Sequence, residues 1–234
     1  MMLSVLATTA SAAGQHQLPM SLSDPYTLIV VLVLISLAPF IAMMITSFVK
    51  LVVVLSLIRN ALGIQSIPPN TVINGLAMIL SFYIMAPVVQ DTWDMMKIHE
   101  LEGQDIKGIQ EAFYQSKGPL QNFLLKHSSD RDRQFFIHAA KSLWPDHRAN
   151  KIRPDDFMIL VPAFTVSELS SAFQIGFLTY LPFVIIDLVT SNILLAMGMM
   201  MVSPTVISLP FKLLLFVLVS GWSRLIQGVI LTYQ

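Results

Sequence analysis

The residues best suited to chemistry in this 234-residue sequence are ionisable side chains that stand alone in apolar sequence. Glu168, Asp187, Lys212 and Arg224 interrupt the C-terminal third of the chain in this way. Ionisable groups at membrane depth cost a few kcal/mol or more, so they usually pair or line an aqueous path. Glu168 and Lys212 have opposite signs, which predicts an ion pair within one chain or across a subunit boundary. Asp187 and Arg224 could pair in the same way.

Snorkelling to the membrane surface is the alternative for these charges. Lys212 and Arg224 have long apolar stems that let the charged head reach water. Glu168 has a short stem, so pairing explains it better. Lys50 and Arg59, in the first apolar part of the chain, are two further candidates for buried charges.

A cluster of methionines lies in the uncharged stretch 188–211. Four of them fall within five positions: Met197, Met199, Met200 and Met201. Methionine is unbranched and polarizable, so it fills irregular gaps and re-packs easily. Gly198 and Pro204 break helices, which predicts a deformable apolar loop between two helices. Ordinary lipid-facing or helix-packing methionine is the alternative, and composition alone favours it.

No catalytic or metal-binding motif accompanies these residues. The chain has no cysteine, which excludes disulfides, thiolate metal sites and a Cys nucleophile. The five histidines form neither HExxH nor a comparable pair at ligand spacing, and no GxSxG or phosphate-binding glycine loop occurs. The sequence therefore indicates a protein that is not an enzyme and predicts no cofactor and no metal.

The composition is that of a membrane protein. Hydrophobic residues make up 55% of the chain and charged residues 12%, with a mean hydropathy of +0.70, whereas soluble proteins carry about 25% charged residues. The formal net charge is zero, so nothing indicates nucleic acid or an acidic ligand. Ten of the 14 basic and ten of the 14 acidic residues lie between Asp91 and Asp155, which marks a polar insert between two apolar halves.

The sequence divides into four parts. Residues 1–24 are either an N-terminal extension or a weak signal-like segment, because an A-x-A site follows a marginal apolar run without a basic region. Residues 25–90 predict a first apolar helical hairpin, and residues 91–155 a polar helical insert. Residues 156–234 predict a second apolar hairpin that turns at the Met-rich loop. The expected fold class is therefore an all-α membrane protein with two hairpins flanking a small insert.

Helix boundaries follow from prolines and turns. Pro39 lies within an uncharged run and is expected to break or kink its helix. Pro162 and Pro182 are expected to interrupt the second apolar half in the same way. Asn70, after two prolines at the tip of the first hairpin, is expected to cap the following helix. The last helix is expected to run from about residue 211 to about residue 232.

The few charges in the apolar halves also predict an orientation. Lys50, Arg59 and Lys212 favour the cytoplasmic side by the positive-inside rule. The polar insert is then expected to face the periplasm.

Three segments of the sequence match a known family. They are TSFVKLVVVLSLIRNALGIQSIPPN (46–70), PAFTVSELSSAFQIGFLTYLPFVIIDLV (162–189) and NILLAMGMMMVSPTVISLPFKLLLFVLVSGW (192–222). The motifs RNALG…PPN, SEL…AF.IGF..YLPF and MGMMM..P..ISLPFK are specific, and their order and spacing are preserved. The chain resembles the export-gate proteins of type III secretion, SctR of injectisomes and FliP of flagella, and is more similar to the injectisome branch.

The resemblance implies a subunit of a multi-chain entry portal for unfolded secreted polypeptides. It implies a helical assembly of about five copies with S-type and T-type export-gate partners. The location implied is the bacterial inner membrane, in contact with lipid, with the assembled gate projecting toward the periplasm.

The resemblance also implies roles for particular residues. Met199, Met200 and Met201 correspond to the methionine gasket of the family, and Glu168 and Lys212 to its inter-subunit ion pair. Ser220 stands where many members carry Asp, so a charged role is not carried over to it. Two other readings stay open: a small-solute or ion channel that uses the intramembrane charges, and a purely structural scaffold subunit.

Overall fold

The computed structural model describes residues 25–64, 67–100 and 116–234, so the predicted N-terminal extension or signal-like segment, 1–24, lies outside the described residues. Every regular element within these ranges is a helix, which confirms the all-α fold class. The chain divides into two compact units, Met1–Ile41 and Ala42–Gln234.

Nine helices occur in the described ranges. In chain order they are α1 (Pro25–Ile45), α2 (Phe48–Ala61), α3 (Asn70–Glu100), α4 (Gly118–His127), α5 (Asp130–Leu143), α6 (Asp146–Ala149), α7 (Phe157–Ala196), α8 (Pro204–Leu218) and α9 (Gly221–Leu231). Helices α2 and α3 form the first hairpin, and α7 and α8 form the second, which α9 continues. Helices α4 to α6 belong to the polar insert. Helix α3 continues past the expected insert boundary at residue 90 and ends at Glu100.

Helix α2 is the centre of the largest core cluster. Its apolar residues recur at positions three, four and seven residues apart, so they form one buried stripe: Leu51, Val54, Leu55 and Ile58. Side chains of α3, α7, α8 and α9 pack against this stripe. Helix α7 passes close to α2 at Gly176, where a Cβ atom would lie 2.2 Å from Leu57 Cδ1. The glycine therefore permits the two hairpins to pack closely.

Helix α7 connects this core to the insert. Its 40 residues span about 60 Å at 1.5 Å per residue, roughly twice the ~30 Å hydrocarbon core of a bilayer. Near its N-terminal end, Leu160 and Phe164 pack with Phe123 and Leu124 of α4, and Ile159 packs against α5. The N-terminal part of α7 thus packs on the polar insert, and the C-terminal part forms an arm of the second hairpin.

Among the residues that the structure describes, two helical segments are long and apolar enough to cross a membrane, Asn70–Met95 and Phe157–Ala196. The bent pairs Pro39–Ile45 with Phe48–Ala61 and Pro204–Leu218 with Gly221–Leu231 raise the number of candidate spans to four if each pair counts as one. These apolar helices identify an integral membrane protein.

The prolines do not end the helices as expected. Pro39 lies inside α1, and the break comes later, at Thr46 and Ser47. Pro162 and Pro182 both lie inside the uninterrupted helix α7. A proline in a helix removes one amide donor, and this loss is tolerated where neighbouring helices hold the segment in place.

The predicted last helix is two helices. They meet at Ser220, which has a left-handed backbone conformation with φ of 53°, and α8 and α9 are bent by 61° relative to each other. The expectation of one continuous helix was therefore wrong. The run lacks proline, and the sequence signal for this break was the Ser220-Gly221 pair, because sharp kinks also occur at Gly/Ser pairs.

Asn70 does not act as the expected cap. It is the first residue of α3, and its Oδ1 accepts a hydrogen bond from Arg59 Nη1 at 2.6 Å. The backbone oxygen of Pro69 instead accepts from the amides of Val72 and Ile73. Asn70 therefore joins the tip of the first hairpin to α2 through Arg59.

Candidate functional site: a methionine loop and two buried ion pairs

The Met-rich loop begins at a defined helix end. The amide of Met199 donates to the carbonyl of Leu194 at 2.9 Å, and the amide of Gly198 donates to the carbonyl of Leu195 at 3.0 Å. This pair of bonds is a Schellman motif, in which the residue after the helix adopts a left-handed conformation. Gly198 has a φ of +74°, a conformation that glycine adopts without steric cost. The loop therefore leaves α7 in a fixed direction.

The methionines of the loop are exposed in the single chain. Met200 is 80% exposed and Met201 is fully exposed, whereas Met199 is partly covered. Ser203 and Pro204 end the loop, and Pro204 is the first residue of α8. The structure thus presents flexible apolar side chains on a loop whose two ends are held by helices.

An ion pair joins the two arms of the hairpin that carries this loop. Lys212 Nζ of α8 lies 2.6 Å from Asp187 Oδ2 of α7. The other carboxylate oxygen accepts a hydrogen bond from Ser208 Oγ at 2.5 Å. Lys212 Nζ also donates to the carbonyl of Ala61, at the end of α2, at 3.2 Å. This Asp187–Lys212 pair therefore links three helices near the base of the loop.

A second ion pair lies deeper in the protein. Lys50 Nζ of α2 is 2.8 Å from Glu168 Oε1 of α7, and the two residues are 3% and 2% exposed. Charges this deeply buried are tolerated only when they are paired and hydrogen-bonded. The pair fixes the first hairpin to the N-terminal third of α7.

Two residues after α9 complete the surroundings of the Lys50–Glu168 pair. The hydroxyl of Tyr233 donates to Glu168 Oε2, and Lys50 Nζ donates to Thr232 Oγ1 at 3.5 Å. Lys50 Nζ also lies 4.3 Å from the centroid of the Tyr233 ring, in a cation–π contact. The end of the second hairpin is thereby tied to the first.

The polar insert is attached to α7 beside this pair. Ser167 Oγ donates to Asp132 Oδ2 at 2.5 Å and accepts from the amide of Ser129 at 2.9 Å. Glu168, the next residue of α7, carries the ion pair to Lys50. Two consecutive residues of α7 therefore connect it to the insert and to the first hairpin.

The pairing within the chain differs from the sequence-based expectation. Glu168 pairs with Lys50, and Lys212 pairs with Asp187, so the within-chain forms of the Glu168–Lys212 and Asp187–Arg224 pairs do not occur. Both carboxylates lie on α7, and each lysine lies on a helix that packs against α7: Lys50 on α2 and Lys212 on α8. The Glu168–Lys212 pair across a subunit boundary stays a prediction.

The further charges predicted to be buried fall into three classes. Lys50 is buried, Arg59 and Asp187 are half-buried, and Arg224 is exposed on α9. Arg59 Nη1 donates to the carbonyl of Pro68 at 3.1 Å as well as to Asn70. Arg59 thus has a structural role at the tip of the first hairpin. No group of three His, Cys, Asp or Glu side chains in the described ranges could hold a metal ion.

Comparison with known proteins supplies the family. A profile of the FliP family matches residues 31–229. The Yop proteins translocation protein R of Yersinia pestis is 54% identical over 212 residues, which cover 91% of this chain and 98% of that relative. The chain belongs to the FliP family.

Two other relatives of this FliP-family chain are nearly as similar along its length. The virulence protein YscR of Salmonella typhimurium is 47% identical over 219 residues, or 92% of this chain and 100% of the relative. The hypersensitivity response secretion protein HrcR of Ralstonia nicotianae is 47% identical over 210 residues, covering 89% and 97%. These relatives confirm the predicted resemblance to the injectisome, or SctR, branch of type III secretion.

Sequence reasoning on this FliP-family chain missed two partners of the buried charges. Lys50 was a candidate buried charge without an assigned counterion, and Tyr233 was not considered. The charges gave a partial signal, because a lysine within a long apolar stretch needs a carboxylate elsewhere in the apolar sequence. Nothing in the sequence pointed to the Tyr233 hydroxyl.

Proposed function

We propose that this chain is a core subunit of the export gate of a type III secretion system. Several copies, about five by the family resemblance, assemble with S-type and T-type subunits into an entry portal for unfolded secreted polypeptides. The portal lies in the bacterial inner membrane and projects toward the periplasm. The subunit contributes structure and a seal, without catalysis.

The exposed methionine loop is the observation that carries this proposal. Met200 and Met201 are uncovered on a loop held by a Schellman motif at one end and by Pro204 at the other. A narrow ring of apolar side chains excludes water and ions, because a hydrophobic constriction dewets. Methionine can also rearrange around a passing polypeptide, since its side chain is unbranched and flexible.

The outer surfaces of the second hairpin support assembly into a larger structure. Its helices expose many large apolar side chains in the single chain: Phe173, Phe177, Leu178, Ile185, Leu188 and Ile193 on α7, and Leu214, Val217 and Leu218 on α8. Exposed apolar surface on this scale indicates contact with lipid or with other proteins. Neighbouring subunits and lipid would together cover these faces.

Glu168 and Lys212 have a further role in this proposal, as an ion pair between neighbouring subunits. In the single chain both are neutralised by other partners, Lys50 and Asp187. A Glu168–Lys212 pair across the subunit boundary would therefore require each residue to leave its internal partner or to contact both partners at once. The proposal therefore assigns the two internal pairs to the subunit before assembly.

A channel for small solutes would use the same charges differently. It would need Glu168 and Lys212 to face a continuous aqueous path. Both are buried against protein in this chain, which favours a structural use of the charges.

The gasket is tested by replacing Met199, Met200 and Met201 together with alanine in cells that carry the complete secretion system. We expect ion leakage across the inner membrane to rise while the complex still assembles, because the smaller side chains leave the constriction open. Met158→Ala is the control. Met158 is exposed like the loop methionines, but it lies on α7 at the end opposite to the loop. Unchanged leakage in an assembled triple variant would refute the seal.

A further inference from the structure

Tyr233 lies where three parts of the chain meet. Its ring stacks on Phe123 of α4, with centroids 6.1 Å apart and planes 9° from parallel. The ring of His127, also on α4, lies 5.0 Å away. Lys50 Nζ of α2 lies over the ring at 4.3 Å. The ring therefore contacts both the buried amine and the insert.

The hydroxyl of Tyr233 gives Glu168 its second hydrogen-bond donor. One carboxylate oxygen faces Lys50 Nζ at 2.8 Å, and the other accepts from the Tyr233 hydroxyl. The charge of a carboxylate that is 2% exposed is stabilised by pairing and by hydrogen bonds, which here reach both of its oxygens. Hydrogen bonds to an ionised group are about twice as strong as those between neutral groups. The bond from Tyr233 therefore helps to fix the orientation of the Glu168 carboxylate.

Helix α4 holds the tyrosine ring in place. Phe123 is buried, and its ring centroid lies 5.7 Å from that of Phe164 on α7, so it cannot move away from Tyr233 without losing its packing against α7. The insert is fixed nearby by the bonds of Ser167 to Asp132 and Ser129. The insert thus packs against the Tyr233 ring and is itself anchored on α7.

We propose that Tyr233 is a positioning residue for the Lys50–Glu168 pair, and that Tyr233 and helix α4 together shield this pair from water. The polar insert then has a function inside its own chain, which is to hold the tyrosine against the pair. This inference does not rest on the role of the chain in secretion.

The test measures how fast a water-soluble acylating reagent modifies Lys50 in the full chain purified in detergent, read by mass spectrometry. Lys212 serves as an internal control, because it is buried in the separate Asp187–Lys212 pair. Lys126 is exposed and reports reagent activity. In Tyr233→Ala we expect modification of Lys50 to rise about tenfold, which corresponds to about 1.4 kcal/mol, with Lys212 unchanged. Unchanged protection of Lys50 would overturn the proposal.

If Tyr233→Ala unfolds the chain, both Lys50 and Lys212 become reactive and that variant is uninformative. Tyr233→Phe then tests the proposal, because it keeps the ring and removes only the hydroxyl. We expect it to raise the reactivity of Lys50 alone, by less than Tyr233→Ala does. Wild-type protection of Lys50 in Tyr233→Phe, or equal exposure of Lys212, would overturn the positioning role.

The contribution of α4 is tested with Phe123→Ala, which should expose Lys50 in the same assay. Leu125→Ala is the matched control, because Leu125 lies on the same helix with an exposed side chain. Equal protection of Lys50 in both variants would show that α4 does not shield the pair.

Discussion

Lys50 of α2 and Glu168 of α7 form an ion pair in the interior of the chain, with 2.8 Å between Nζ and Oε1. The pair joins the first hairpin to the long helix of the second. Neither partner is adjacent to another charge in the sequence, and each is almost completely buried. The pair neutralises two charges that would otherwise oppose burial. The contact is therefore a condition for packing the two apolar halves together.

Removing one partner of this pair should destabilise the chain strongly. Lys50→Met or Glu168→Gln leaves the other residue without its ionic partner, for which we expect a loss of about 3–5 kcal/mol. The double variant should lose less than either single variant, because it leaves no buried charge and the new amide oxygen at position 168 can still accept from the Tyr233 hydroxyl. Limited proteolysis and thermal unfolding in detergent measure the effect.

The control for this pair is Arg224→Ala, since Arg224 is exposed in the single chain. Exposed substitutions usually change stability by no more than about 0.5 kcal/mol. Equal losses for Arg224→Ala and Glu168→Gln would contradict a special role for the buried pair.

Charge exchange distinguishes the internal pairs from a pair between subunits. Glu168→Lys with Lys50→Glu retains an internal pair, so we expect the single chain to recover stability relative to Glu168→Lys alone. Glu168→Lys with Lys212→Glu places two carboxylates together at Asp187, so the single chain should become less stable than with Glu168→Lys alone.

Assembly gives the second measurement for these double variants. Native gel electrophoresis of complexes extracted from membranes reports the amount assembled. Recovery of assembly by the Lys212 exchange, in spite of a weaker single chain, would support the predicted Glu168–Lys212 contact between subunits. If only the exchange with Lys50 restores assembly, Glu168 is needed for its internal pair and the contact between subunits is not supported.

Gly198, the glycine of the Met-rich loop, should be sensitive to substitution. A Cβ atom there meets no other atom within 4 Å, so the cost of Gly198→Ala comes only from its backbone conformation, with φ of +74°. A left-handed conformation costs a residue with a Cβ atom roughly 1–2 kcal/mol. We expect thermal unfolding to show a loss of about this size and the Met loop to become more accessible to protease.

Gly75→Ala is the matched control for the loop glycine. Gly75 lies within helix α3 and also has open space around its Cα, so alanine there should stabilise the chain by roughly 0.5–1 kcal/mol. A stabilising effect of Gly198→Ala, like that expected for Gly75→Ala, would contradict the Schellman geometry.

The helices could be predicted from the sequence more completely than their ends could. Uncharged runs and the PPN turn indicated the first hairpin, and the Gly198–Pro204 stretch indicated the turn of the second. The predicted helix breaks were wrong where proline was the only signal, because Pro162 and Pro182 are accommodated within the packed helix α7. The break at Ser220 depends on backbone conformation and packing around the Phe216 and Trp222 rings, which are 5.4 Å apart.

The partners of the buried charges could be predicted only in part. The sequence showed that Glu168 and Lys212 needed opposite charges, but several pairings satisfy this requirement equally well. The choice depends on which helices pack together, and α2 lies against α7 because Gly176 permits close approach. That contact places Lys50 within reach of Glu168.

His127 should make the stability of the insert depend on pH. Burial, and then the positive charges of Lys126 and Lys50, lower the pKa of His127 from 6.5 to about 4. The imidazole ring also faces the Phe123 ring at 4.7 Å and the Tyr233 ring at 5.0 Å, and Glu168 lies beyond Tyr233. The folded chain therefore binds a proton on His127 less readily than the unfolded chain does.

The sign of the pH effect follows from this difference. Above about pH 6.5 the imidazole is neutral in both states and makes no difference to stability. As the pH falls from 6.5 toward 4, the unfolded chain gains a proton that the folded chain does not, so the folded state loses stability. Comparing thermal unfolding of the wild type and His127→Phe isolates this group from the carboxylates, which titrate in both proteins. We expect the wild type to lose more stability than His127→Phe across this range, and parallel curves would contradict the shielded position of His127 beside Tyr233.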